Sequence, residues 1–347
     1  MSNRKKTRIF DDTFLNPYRQ IGDVSADSVV EKLASQQGKA GLGALMSRLS
    51  DTEDLSVAHY PAEIQDFFEV HRHLPVFANA KQIARATAFF WRFEQQIALV
   101  LACYSLPYCY AAANGAQVLW LSARIKNDTQ RRLEETGAFV FGAMNERDWA
   151  NGQNVVRVLK VRLMHAVIRY FTKHAPQWNS DWGLPINQED MAGTNLAFSY
   201  IVIRGLRKMN LSVSYQEEED FLHLWNVIGH LLGVQPTLLP DNLLEAYQLD
   251  KQIAKRQFKA SEAGQGLTKA LVKTLEIQTS KYTLKGIKNV PLYYFLGKEV
   301  AELLNVKEPL DAPLTEWTMP IMSRLMGWQP ASDFAQKYDR KSFTLNK

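Results

Sequence analysis

His165 stands inside a long run of mostly apolar side chains, Val155-Val156-Arg157-Val158-Leu159-Lys160-Val161-Arg162-Leu163-Met164-His165-Ala166-Val167-Ile168-Arg169. On a helix, Val161 and Ile168 fall one turn away on either side, and Arg162 and Arg169 share nearly one face beside it. A neutral imidazole in an apolar wall can coordinate a haem iron without importing charge. Arginines a turn away can pair with two haem propionates through charge-assisted hydrogen bonds. The same spacing also fits a core histidine bonded to a backbone carbonyl, with both arginines on a solvated flank. Spacing alone favours that second reading.

Arg132, Glu135 and Thr136 fall at i, i+3 and i+4, so one helical face presents all three. Near an iron centre, a guanidinium and a hydroxyl can hold dioxygen, and a carboxylate can take a proton from an allylic carbon. The alternative is a surface turn in which Arg131, Arg132, Glu134 and Glu135 form intrahelical ion pairs, each worth a few tenths of a kcal/mol. The remaining histidines carry less. His71 and His73 point to different helix faces, His174 ends its helix, and His223 and His230 lie seven apart on one face. Of these, His230 is the one alternative iron ligand worth testing.

The elements that would position these residues are helical. Apolar residues recur every three or four positions and β-branched alternation is scarce, which predicts an all-α fold, a large single helical domain around a buried haem pocket. Helices are expected from near Ala80 towards Ser105, where Pro107 should stop the chain, and from the capping pair Asn127-Asp128 through Met144. The His165 helix should run from about Gln153 to His174, followed by a Trp-, Gly- and Pro-rich loop and a helix from Asn187 to Met209. Ser214-Tyr215-Gln216-Glu217 reads as a capping box opening a helix that Gly233 closes. Further helices are expected around 241–258, 267–279 and 292–304. The expected organisation is an N-terminal extension over 1–80, a helical core over 81–310 and a C-terminal extension over 311–347.

The 347 residues are 46% hydrophobic and 22% charged, which suits a globular protein with a sizeable core. The net charge of +5 is spread along the chain apart from Arg4, Lys5, Lys6 and Arg8, and no basic stripe with interleaved aromatics follows, so a nucleic-acid partner is not expected. Cys103 and Cys109 make neither a disulfide framework nor a zinc motif. No apolar signal segment opens the sequence, so the expected location is cytoplasmic. The uncharged stretch from Gln95 to Ala123 is interrupted by Ser105 and Pro107. It reads as a core helix with, at most, peripheral membrane contact. P-loop, Rossmann, GxSxG and HExxH patterns are absent, and no second acidic cluster completes a terpene-cyclase magnesium site.

Four sequence words in register resemble the family of MpaB oxygenases and the catalytic domain of latex-clearing rubber oxygenases. They are Arg132-Leu133-Glu134-Glu135-Thr136; Val161-Arg162-Leu163-Met164-His165-Ala166-Val167-Ile168-Arg169; Gly183-Leu184-Pro185-Ile186-Asn187-Gln188-Glu189-Asp190-Met191-Ala192-Gly193-Thr194; and Leu224-Trp225-Asn226-Val227-Ile228-Gly229-His230-Leu231-Leu232-Gly233-Val234. The resemblance implies a haem b-dependent oxygenase acting with dioxygen on a small unsaturated hydrophobic substrate, isoprenoid, terpenoid or lipid-like. It makes His165 the proximal iron ligand, places Arg132 and Thr136 on the distal side, and gives Arg162 and Arg169 a cofactor-binding role. Where the latex-clearing branch carries a lysine before the threonine, this chain has Glu135, which cannot act as an ammonium donor. The alternative is a non-catalytic helical protein that binds haem or lipid on the same scaffold.

Overall fold

The His165 helix (Gln153–Lys173) is the axis on which the other elements are laid. The long segment Val24–Leu49 packs along it, and Thr129–Ala143, Tyr215–Leu231 and Ala62–His71 close around it. The computed structural model describes residues 7–51, 54–122, 129–279 and 290–309, without the side chains of 276–279. Among the described residues the architecture is all-α, and the sole β-type pairing is an isolated bridge between Ala112 and Phe258. Asn127 and Asp128, expected as caps, lie outside the described residues, as does the expected extension over 311–347.

One hydrophobic core runs through the described chain, and its members include Leu15, Val30, Leu33, Leu42 and Leu49. The division expected at residue 80 therefore coincides with no gap in the packing: the segment before it supplies core side chains and lies against the His165 helix. Apolar burial worth about 25 cal/mol per Å² makes such a helix part of the domain rather than an appendage.

The local signals at helix ends behave as their chemistry requires. Ser214 accepts from the Glu217 backbone while the Glu217 carboxylate accepts from the Ser214 N–H, a complete capping box. Gly233 closes that helix at φ +89°, the left-handed conformation that glycine adopts without a Cβ penalty. Two expected continuous helices are divided. Between Asn187 and Met209 the track breaks at Ser199, whose hydroxyl donates to the Asn195 carbonyl 2.8 Å away, so helices Gln188–Phe198 and Tyr200–Lys208 meet at a bend.

The second is the expected 80–105 helix, which breaks at Phe93 and resumes over Glu94–Val100. It then widens into a π-helical turn over Leu101–Ser105 and continues as Leu106–Ala111. Pro107 does not stop the chain. It sits in the first turn of the last piece, where its missing N–H costs little. No helix among the described residues is long and apolar enough to cross a membrane.

Gly205 sets the approach of Tyr200–Lys208 to Glu94–Val100. A Cβ there would stand 2.4 Å from Val100 Cγ1 and 2.6 Å from Cγ2. Gly205→Ala should therefore lower stability by about 1–3 kcal/mol through overpacking. A urea midpoint shift checks this, and no loss would mean that the two helices separate freely.

Candidate functional site

The His165 side chain projects from a helix whose buried face carries Val158, Leu159, Leu163, Ala166 and Val167. Its Nδ1 is buried and has no hydrogen-bond partner among the described residues. A buried polar atom left unpaired costs about 1–3 kcal/mol. The imidazole is also held neutral. Burial first, then the positive charges of Arg169 and Arg132, push its pKa from 6.5 down to about 4, against an opposing pull from Asp23. A neutral imidazole with an uncommitted ring nitrogen is the form that binds iron. The backbone carbonyl expected as the partner of a merely structural histidine does not take Nδ1.

Arg132, Glu135 and Thr136 lie on Thr129–Ala143, which packs on the His165 helix, and all three are half-buried. The influence of Arg132 on His165 brings the two parts of the expected site into one electrostatic field. Arg132 likewise acts on the buried Tyr110, whose hydroxyl burial pushes up to about 12. Glu135 accepts from Arg131 Nε at 3.1 Å, the i, i+4 ion pair of the plainer reading.

Arg162 and Arg169 do not stand on a solvated flank. Arg162 donates through Nε and Nη2 to both carboxylate oxygens of Asp23, at 2.6 and 2.9 Å, a two-pronged pair buried on both sides. Arg169 donates to Asp27 and to the carbonyls of Pro185 and Ile186. Both guanidiniums are thus committed to the segment leading into Val24–Leu49 and to the 185–186 loop. The propionate role expected for them would have to compete with a complete set of acceptors. Burial raises the Asp27 pKa, against the opposing pull of Arg169.

Several residues of this region carry no signal in the sequence. Asp23 and Asp27 lie more than a hundred residues from their partners. His71 bridges the same network, with Nε2 2.7 Å from Ser25 Oγ and Nδ1 3.5 Å from Arg162 Nη1. Gln188 ties three segments together, donating to the Gly22 and Gly233 carbonyls and accepting from the Gln235 N–H. His230, on the neighbouring Tyr215–Leu231 helix, also has a buried Nδ1 with no partner among the described residues, and its ring meets Phe77 edge-on at 5.8 Å. Burial, with Arg162, lowers its pKa. No group of three or more His, Cys, Asp or Glu side chains able to hold a bare metal ion occurs among the described residues.

Comparison with known proteins bears on the fold and the family. A rubber oxygenase of Streptomyces sp. (strain K30) is 21% identical over 310 residues, covering 87% of this chain and 75% of that protein. The solved structure of a latex clearing protein in its closed state superposes with a TM-score of 0.75 at 21% identity, over 88% of this chain and 84% of the other, and so shares the fold. The family model described as ER-bound oxygenase mpaB/B'/rubber oxygenase, catalytic domain, matches residues 91–330, most of the chain and every expected site residue, and the chain belongs to that family.

Proposed function

We propose that this protein is a haem b-dependent oxygenase of unsaturated hydrophobic compounds, with His165 as the iron ligand. The observation that carries the reading is the neutral imidazole of His165, with its buried and unpartnered Nδ1, in an oxygenase-family fold. The residues present fit the cofactor: the iron of a haem brings its tetrapyrrole nitrogens with it, so a single imidazole, that of His165, would be enough to hold it. Bound haem would supply the redox chemistry that dioxygen requires.

The chain's own contributions follow from position and charge. In this reading Arg132 and Thr136 are donors to dioxygen from one helical face, and Glu135, once released from its ion pair with Arg131, accepts a proton from substrate carbon. Arg162 and Arg169, bound to Asp23 and Asp27, are positioning residues that hold the ligand helix at its angle. Membership of the oxygenase family supports an isoprenoid, terpenoid or lipid-like substrate, with dioxygen as co-substrate. Nucleic acid is not a proposed partner. Residence in the cytoplasm, with peripheral contact to a membrane that stores such substrates, is part of the proposal.

The test is the absorption spectrum of protein expressed with ample haem precursor. A strong Soret band is expected, and a colourless preparation would end the proposal. Arg132→Ala should keep the Soret band while oxygen uptake with a polyisoprene or terpenoid substrate falls by about 10²–10³-fold, the usual cost of removing one aimed donor. The Arg131–Glu135 ion pair favours a second reading, a haem- or lipid-binding protein without turnover. Haem-loaded protein that consumes no oxygen with any unsaturated lipid or terpenoid would establish it.

A further inference from the structure

On the π-helical side of the molecule, a second group of polar residues is enclosed in the core. Tyr108 and Asp250 are both buried, and the phenol donates to the carboxylate at 3.0 and 3.2 Å. Arg204 Nη1 donates to Asp250 Oδ2 at 3.1 Å. The Tyr104 ring meets the Tyr108 ring edge-on at 5.7 Å, and Arg204 and Lys208 lie over its face at 5.7 and 5.5 Å. Burial lifts the Asp250 carboxyl to about 6, so it is ionised at neutral pH yet accepts a proton more readily than an ordinary aspartate.

We infer that Tyr108, with Asp250 as its proton acceptor, is a redox-active tyrosine that yields one electron to an oxidised transition-metal complex. The electron leaves the phenol ring and reduces that complex by one unit. The phenolic O–H bond breaks, its proton passes along the existing 3.0 Å hydrogen bond to Asp250, and a neutral phenoxyl radical and a carboxylic acid remain. Without an acceptor in place, a buried phenol would have to form a cationic radical in a low-dielectric interior, at the cost of isolating a charge there. Two neighbours lack this device. Two cations stand over the Tyr104 ring and oppose removal of its electron, and Tyr110 acts beside Arg132. Among the described residues neither donates to a carboxylate. Of these three tyrosines, Tyr108 alone has the acceptor in place. Tyr104 lies in the π-helical turn Leu101–Ser105, a feature common at functional sites, and Tyr108 follows it in the next helical piece. The inference stands without the haem reading, because any one-electron oxidant of sufficient potential reveals it.

A ruthenium polypyridyl label tests it. Burial pushes both native thiols, Cys103 and Cys109, up to about 12, so they resist alkylation and an introduced surface thiol takes the label. Lys251→Cys places it next to Asp250, and Tyr247→Phe removes the exposed phenol nearby. After flash oxidation of the label, electron paramagnetic resonance should show a tyrosyl radical that Tyr108→Phe abolishes. Asp250→Asn, with its fold verified by circular dichroism, should slow radical formation by at least about a hundredfold and remove the solvent isotope effect. An unchanged radical in Tyr108→Phe overturns the site, and an unchanged rate in Asp250→Asn overturns the proton acceptor.

Discussion

Replacing His165 with leucine should abolish the Soret band and at the same time make the cofactor-free protein more stable. The two effects have one origin. In the cofactor-free chain the Nδ1 atom is buried without a hydrogen bond, which costs about 1–3 kcal/mol, and an apolar side chain of similar volume removes that cost. The stabilisation should grow on acidification. In the folded protein His165 takes up a proton only near pH 4, whereas the unfolded chain does so at about 6.5. As pH falls through that window the unfolded state binds more protons, so wild type loses stability that the leucine variant keeps, up to about 3 kcal/mol at the lower end.

The measurement is a pair of urea titrations, wild type against variant, at pH 7 and pH 5, on protein freed of haem. Comparing the two chains matters because the raised carboxylate of Asp250 titrates in the opposite sense over part of the same range and cancels in the difference. A variant that retains haem would refute ligation by His165. His230→Leu serves as the control, since that ring also carries an unpartnered Nδ1 and should leave the Soret band intact. If colour instead follows His230, the ligand lies on the neighbouring helix.

What could be read without coordinates divides by the range of the interaction. The capping box at Ser214 and the glycine closing the same helix depend on residues at most a few positions apart, so the chain spells them out. The His165 helix was legible for the same reason, because its apolar face repeats with the helical period. The partners of Arg162 and Arg169 were not. A charged residue on a helix reads as solvated unless something says otherwise, and here that something is Asp23 and Asp27, brought in by a segment that looked like an extension. Pro107 misled in the other direction: its effect depends on whether its position opens or interrupts a helix, and the π-helical turn before it makes a new first turn. The proposed iron ligand was legible only through family resemblance; what the structure adds is the neutral state of the imidazole and its unpartnered Nδ1, which no local pattern encodes.

The largest loss of stability from a single substitution is expected at Asp23. Its carboxylate takes two hydrogen bonds from Arg162, with side-chain exposures of 5% and 10%. Asp23→Ala leaves a buried guanidinium with, among the described residues, the 3.5 Å contact to His71 and the face of the Phe67 ring, 5.3 Å away. Removing one partner of a buried pair costs about 3–5 kcal/mol, most of it the price of the orphaned charge. The double variant Asp23→Leu/Arg162→Met should recover most of that loss, since neither charge then remains to be desolvated. The recovery has a limit set by Gly233. A Cβ at that position would lie 2.3 Å from Asp23 Oδ2 and 2.8 Å from Arg162 Nε, so the backbone turn is seated directly on the pair and the replacements must fit beneath it. A thermodynamic cycle of the four proteins in urea isolates the coupling. Equal losses in the single and double variants would show that the pair matters for its shape rather than its charge. Haem retention adds a second readout: if the pair holds the His165 helix in place, Asp23→Ala should weaken haem binding even under conditions where the chain remains folded, although Asp23 is not itself a ligand.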